Sequence, residues 1–240
     1  MYVKFGLQNK RVWKSLTMKL IPKLLFLLTL NALVSPVVHA FLPPGKIEVM
    51  EIPEKKFYAI ELRGVIAYPL ASEMEEALAK IPKDSKIIIF LNSPGGSSSE
   101  GMKIIQTLRS EIAQGRNIHT HVRNGELCSS MCVPVFVQGK TRRAGEMAMF
   151  MFHGSYQAAF TNIPDSQMTE LLLNTFYDAG VNREWVDSLK AQGVFSTPGE
   201  YYVSGKELMD TKSGVVTEIV SRHIRFEPWR APIDPNIRSR

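Results

Sequence analysis

Acidic residues are absent from this chain until Glu48, and only two cysteines, Cys128 and Cys132, occur in all 240 positions. A closed zinc site wants four ligands, so two thiols alone exclude one, and no metal is expected. No internal repeat or low-complexity run is present, which sets aside repeat and fibrous architectures. No apolar run reaches the ~20 residues that a membrane span needs. The acid-free start is basic instead: Lys4, Lys10, Arg11, Lys14, Lys19 and Lys23 precede an apolar run at 24–34 and a small-x-Ala site, Val38-His39-Ala40. That order is the order of a secretory signal peptide, so residues 1–40 are read as a leader cleaved near Ala40. A periplasmic or secreted product with no stable membrane span follows; an uncleaved N-terminal anchor is the alternative, and translation from Met18 would shorten the basic part. The leader also accounts for the net charge of +6, because it holds six of the 29 bases and leaves 23 to face 23 acids. The basic balance is therefore a targeting feature, and no nucleic-acid partner is expected.

Beyond the leader, residues 41–226 read as one domain and 227–240 as a flexible, Pro- and Arg-containing tail. Two β-type runs, 46–50 and 57–62, come first. Ser72 with Glu75 has the spacing of a capping box, and Met74, Leu78 and Ile81 follow at helical intervals. Residues 86–91 are continuously apolar, as in a strand covered on both faces, and end at Ser93-Pro94-Gly95-Gly96. Met102, Ile105, Leu108 and Ile112 line the next helix, which Gly115 closes.

The unit then repeats. Residues 117–122 form a strand, Asn124-Gly125 a turn, 131–137 an apolar helix that tolerates Pro134 in its first turn, and 148–152 a strand delivering His153. Helices follow over 167–177 and after Asn182, then a short strand at 201–203, a capping box at Ser204 and Glu207, and a last β-type run at 215–220. Strand-helix units in succession predict an α/β fold of ββα units with a mostly parallel sheet, whose sites collect at the C-terminal ends of strands.

Three features meet the needs of acyl transfer. Ser130 sits at the mouth of the helix beginning at Met131, as either a nucleophile or a plain N-cap. Gly95 and Gly96 form either an ordinary turn or, through the amides of Gly96 and Met131, a cradle for an oxyanion. His153 is a base suited to neutral pH, or a structural histidine. Cys128 and Cys132 frame Ser130; four apart on a helix, their Cα atoms lie near the outer limit of disulfide geometry, so a bridge and two buried thiols both remain open.

Asn92-Ser93-Pro94-Gly95-Gly96, Gly101-Met102, Ser130-Met131 and Met151-Phe152-His153, in that order, resemble the Clp peptidase family within the crotonase-like superfamily, over about residues 60–220. The 23-residue step from Ser130 to His153 is close to the family's spacing. The resemblance implies a ClpP-type fold and a cofactor-free serine peptidase, with Ser130 as nucleophile and His153 as general base. Gly96 and Met131 would hold the oxyanion, and a peptide would lie extended beside Gly95. The Cys-x-Ser-x-Cys frame is more similar to an exported branch than to the ATPase-coupled one. Family members form rings, so a homo-oligomer is possible, with the helix carrying Leu171–Phe176 serving as a handle or filling the core. The chain departs from the pattern at the third triad position, where Glu200 stands for the family's aspartate, with Asp187 as fallback. That departure keeps a silent peptide-binding scaffold in play. A Ser/Lys peptidase using Lys140 and an acyl-CoA enzyme are weaker rivals.

Overall fold

Five consecutive buried side chains, Ile87 to Leu91, cannot face water on either side, and they form the centre of β3 (Lys86–Asn92). In the computed structural model, which describes residues 45–157, 163–197 and 199–221, β3 lies in the middle of a six-stranded sheet. The expected leader at 1–40 and the expected tail at 227–240 lie outside the described residues. With strands numbered in chain order, β1 (Lys46–Ile52) and β2 (Phe57–Arg63) form an antiparallel hairpin. The sheet then continues in parallel through β3, β4 (Asn117–Val122), β6 (Arg142–Ala144) and β9 (Glu218–Ile219). A second sheet pairs β5 (Leu127–Ser129) in parallel with β7 (Met149–Phe152), and β7 antiparallel with β8 (Tyr201–Ser204).

The helices are α1 (Leu70–Ala79), α2 (Ser98–Ala113), α3 (Cys132–Phe136), α4 (Ser166–Asp178), α5 (Arg183–Ala191) and α6 (Gly205–Asp210). The principal core runs from Ile60, Leu62 and Ile89 through Met74, Ile104 and Leu108 to Phe136, Phe150 and Phe176. Phe57, Ala59, Ile88 and Phe90 form a smaller cluster of their own.

Local chemistry sets most boundaries as expected, including the capping box of α6 and the Asn182 cap of α5. The start of α1 is a correction. Ser72 does not cap it; the helix begins at Leu70 because Leu70 and Ala71 belong to its buried face, and the Ala71 amide donates to the Glu100 carboxylate at 2.8 Å. Ser72 Oγ donates instead to the Pro69 carbonyl. The expected strand at 215–220 shortens to two residues. Two three-residue strands, β5 and β6, went unrecognised in the sequence.

Arg142 explains how β6 is anchored. Its buried guanidinium donates to the carbonyls of Val215, Val137, Ala179 and Gly214, tying the ends of α3 and α4 to the segment before β9. Burial lowers its pKa, and among the described residues its guanidinium has only backbone carbonyls as partners. Arg142→Leu strands these acceptors and is expected to cost about 3 kcal/mol, read from urea midpoints; a loss under about 1 kcal/mol would contradict this role.

His121 on β4 is another buried polar group, 6% exposed and 5.1 Å from the Phe90 ring. Burial, with Arg123 and Arg143 nearby, pushes its pKa down to about 4. The folded protein therefore holds this imidazole neutral, whereas the unfolded chain takes up a proton near pH 6.5. Its contribution to stability is full above about pH 6.5 and is lost as pH falls toward 4, about 3 kcal/mol in all. Glu61 titrates lower: burial raises it, but hydrogen bonds from Arg123 and Arg63 outweigh that and hold it below the usual carboxylate range. Denaturant midpoints measured between pH 7 and 4 should fall, and His121→Gln should flatten the upper part of that fall. An unchanged slope in the variant would remove His121 from the account.

Candidate active site

Ser-Pro-Gly-Gly leaves β3 and runs beside β5 rather than turning away. The Ser93 amide donates to the Leu127 carbonyl at 2.8 Å and the Ser129 amide donates to the Ser93 carbonyl at 3.0 Å. Ser93 Oγ, fully buried, accepts from the Gly95 amide at 3.0 Å. Gly95 has φ +91° and presses on the serine turn: a Cβ placed there would lie 2.7 Å from both Ser129 O and Ser130 Cβ, and 3.0 Å from Met131 N. Gly96, at φ +145°, would put a Cβ 2.2 Å from Ile66 O. Only glycine fits these two positions.

The turn is pinned on its far side by Ile66, whose amide donates to Gly95 O at 2.8 Å and whose carbonyl accepts from the Ser97 amide at 2.7 Å. These bonds skip the Gly96 N–H. Among the described residues, neither it nor the Met131 N–H has a hydrogen-bond partner. Two amides with no protein acceptor, on segments in contact with each other, are what a developing oxyanion requires. The α3 helix is only five residues long, so what it offers an oxyanion would be the Met131 N–H itself rather than a long helix dipole.

Ser130 follows β5 directly. Its φ is +52°, a strained value for a residue other than glycine, and such strain gathers at functional sites. Its amide donates to Met151 O at 2.9 Å and its carbonyl accepts from Val133 N at 3.0 Å, which fix the turn against β7 and α3. Met131 is buried, and Gly101 makes room for it, since a Cβ there would meet Met131 Cγ at 2.3 Å. Cys128 and Cys132 are joined in a disulfide with Cα atoms 5.2 Å apart. The helical separation expected from sequence does not apply, because Cys128 lies in β5 and only Cys132 lies in α3. The bridge spans the turn that holds Ser130.

The pairing of Ser129 with Met151 brings the C-terminal ends of parallel β5 and β7 side by side, and so brings Ser130 and His153 to one edge. Both line a cavity of about 790 Å³, together with Gly96 and Met131. Ser129 is buried with its hydroxyl unpartnered and does not line the cavity, so of these two neighbours Ser130 is the one that faces it. Ser130 Oγ makes no hydrogen bond among the described residues, and His153 Nδ1 lies 2.5 Å from Gly154 O.

The expected contact between Glu200 and His153 is not made. The pairing of Phe152 with Tyr201 sets Glu200 opposite His153 in register, but its exposed carboxylate accepts from Tyr202 OH at 2.8 Å. Glu200 lies just before β8 and Tyr202 within it, and the phenol takes the acid. Asp187 accepts from Tyr177 OH at 2.9 Å, away from the cavity. Lys140 is exposed, outside the cavity wall, and its amide donates to Ile118 O, which leaves the lysine-base alternative without support.

Sequence reasoning missed the apolar wall of this cavity, formed by Met168, Leu172, Leu173 and Phe176 of α4 with Phe195. The helix there fills the core with Leu173 and Phe176 while Leu171 is exposed. The Asp165 cap of α4, which accepts from Met168 N, was a readable signal for where that wall begins. No cluster of metal-ligating side chains occurs among the described residues. No described helix is long and apolar enough to cross a membrane.

A search of curated proteins finds no match. Solved structures with a similar fold include a mutant ClpP1 from Listeria monocytogenes, at 21% identity over 69% of this chain and 92% of that one, with a TM-score of 0.51. The ClpP protease catalytic domain from Plasmodium falciparum is similar at 21% identity, over 71% of this chain and 88% of that one, again at a TM-score of 0.51. These likenesses place the chain in the α/β ClpP-type fold. The family model for Clp protease matches residues 60–175, the stretch that holds the Gly-Gly turn, Ser130 and His153. The family model over this stretch, together with the shared fold, supports the chain as a Clp peptidase family member, and that family is one of serine peptidases.

Proposed function

We infer that this protein is a serine peptidase whose nucleophile is Ser130 and whose general base is His153. The observation that carries the reading is the convergence of Ser130, His153 and two unpartnered amides, those of Gly96 and Met131, on one cavity. A peptide lies extended beside Gly95 and Gly96, with the side chain before the cut turned toward the apolar wall of α4. As Ser130 Oγ bonds to the carbonyl carbon, its proton passes to Nε2 of His153, and the carbonyl oxygen takes up the new charge between the two amides. His153 returns the proton to the departing amine, whose bond to carbon breaks, and water then releases the acyl group by the same steps. The hydroxyl-imidazole hydrogen bond forms when substrate fills the cavity, since catalytic hydrogen bonds often close only in the substrate complex.

No cofactor or metal enters this chemistry. Export is part of the proposal: the basic-apolar start supports it, and the Cys128–Cys132 bridge belongs in an oxidising compartment. Assembly into a homo-oligomer is proposed from family resemblance alone.

Incubation of the purified protein with a mixture of extended peptides, read by mass spectrometry, tests the reading. Cleavage after apolar residues, absent in Ser130→Ala, is the expected result. Peptides that are retained but never cut would point instead to a binding scaffold, the reading that the misdirected Glu200 favours.

A further inference from the structure

Among the described residues no carboxylate orients His153, yet the imidazole is held on two sides. Nδ1 lies 2.5 Å from the Gly154 carbonyl oxygen, an acceptor only, so Nδ1 carries the hydrogen and donates. That tautomer leaves Nε2 free to accept a proton. The ring plane is set by Tyr156, whose phenol stacks on the imidazole at a centroid distance of 5.8 Å and an angle of 14°. The Tyr156 hydroxyl donates to Thr197 O at 3.2 Å, which keeps the phenol from swinging away.

The backbone between the two residues is fixed as well. Gly154 is buried so closely against the next segment that a Cβ would lie 2.2 Å from Phe195 O. The Ser155 amide donates to Thr169 Oγ1 and the Ser155 carbonyl accepts from the Asp165 amide, both at 2.8 Å. The His153–Tyr156 segment is thus fastened to the turn after α5 on one side and to the start of α4 on the other.

We propose that Tyr156 is the positioning residue for His153, and that the Gly154 carbonyl fills the place of a triad acid by fixing the tautomer. Glu200, engaged with Tyr202, does not take part. The proposal rests on the Ser130/His153 reading and adds what orients the base. A neutral carbonyl sets direction without adding a charge, and the face of the phenol receives the imidazolium as it forms.

The test compares peptide hydrolysis by the full chain and by Tyr156→Leu, Tyr156→Phe and Glu200→Gln, with thermal midpoints confirming that each is folded. Tyr156→Leu removes the stack and should lower kcat by about 10- to 100-fold with KM within about threefold. Tyr156→Phe keeps the ring and should retain at least about a third of kcat, and Glu200→Gln should change it by less than about threefold. A folded Tyr156→Leu with full kcat, or with a raised KM and unchanged kcat, overturns the proposal. So does a large loss of kcat in Glu200→Gln. Should Tyr156→Leu fail to fold, Glu200→Gln and Tyr156→Phe still decide. A folded wild type with no hydrolysis, and no labelling of Ser130 by a fluorophosphonate, overturns the Ser130/His153 reading itself and this proposal with it.

Discussion

Ser130→Ala is expected to lower kcat for peptide hydrolysis by about 10⁴-fold or more while the protein stays folded. The size of the loss follows from the division of labour at the site. In the proposed mechanism the hydroxyl supplies the covalent step, and the Gly96 and Met131 amides remain to give the residual rate. Stability should change little, because Ser130 is half-buried and its hydroxyl makes no hydrogen bond among the described residues. What holds the turn is backbone and disulfide: the Ser130 amide on Met151 O, Val133 on Ser130 O, and the Cys128–Cys132 bridge around them. Hydrolysis assays with thermal unfolding of both proteins check the result. Activity retained in a pure Ser130→Ala preparation would move the nucleophile elsewhere.

Gly95→Ala should be nearly as damaging, for a different reason. The added methyl meets backbone, not a yielding side chain: Ser129 O and Met131 N, with Ser130 Cβ beside them. Either the serine turn or the Gly-Gly turn must shift, and φ +91° is costly for alanine in addition. A loss of about 3 kcal/mol in stability and at least about 10²-fold in kcat is expected. Gly115→Ala is the matched control. Its φ is +96°, but nothing lies within 4 Å of its Cβ position, so it bears the backbone cost of about 1 kcal/mol alone and should keep full activity. Equal behaviour of the two variants would show that the Gly95 contact with the serine turn is unimportant.

The parts of the fold that announce themselves in sequence are those where one physical demand dominates. The run of Ile87 to Leu91 admits only a strand covered on both faces, and the Gly95-Gly96 pair after it admits only a turn. Ser204 with Glu207 caps a helix because nothing competes for either side chain, and both bonds of the box form. Ser72 with Glu75 has the same spacing and fails, because burial of Leu70 and Ala71 pulls the helix start upstream of it. The strands β5 and β6 are too short to show a period, and β6 carries Arg142 and Arg143, whose fitness for a sheet depends on carbonyls and on Glu218 from distant segments.

The candidate site was legible to a similar degree. Ser130, His153 and the Gly-Gly turn stand out by order, since each borders a recognisable element: the start of a helix for Ser130, the end of a strand for the other two. Glu200 was placed in the right register by its position before β8, but register fixes the backbone and not the choice of partner, which went to Tyr202. Tyr156 carried no signal at all. Its role arises from a stack on His153 and a hydrogen bond to Thr197, and only the folded loop brings these together. The apolar wall of α4 reads in sequence as core, and part of it is core.

One measurement tests the central claim most directly: treating the folded protein with a fluorophosphonate and mapping the adduct by peptide mass spectrometry. The account predicts a single adduct on Ser130, formed quickly in the wild type and far more slowly in His153→Ala. An adduct on another residue, or a folded wild type left unmodified, would contradict it.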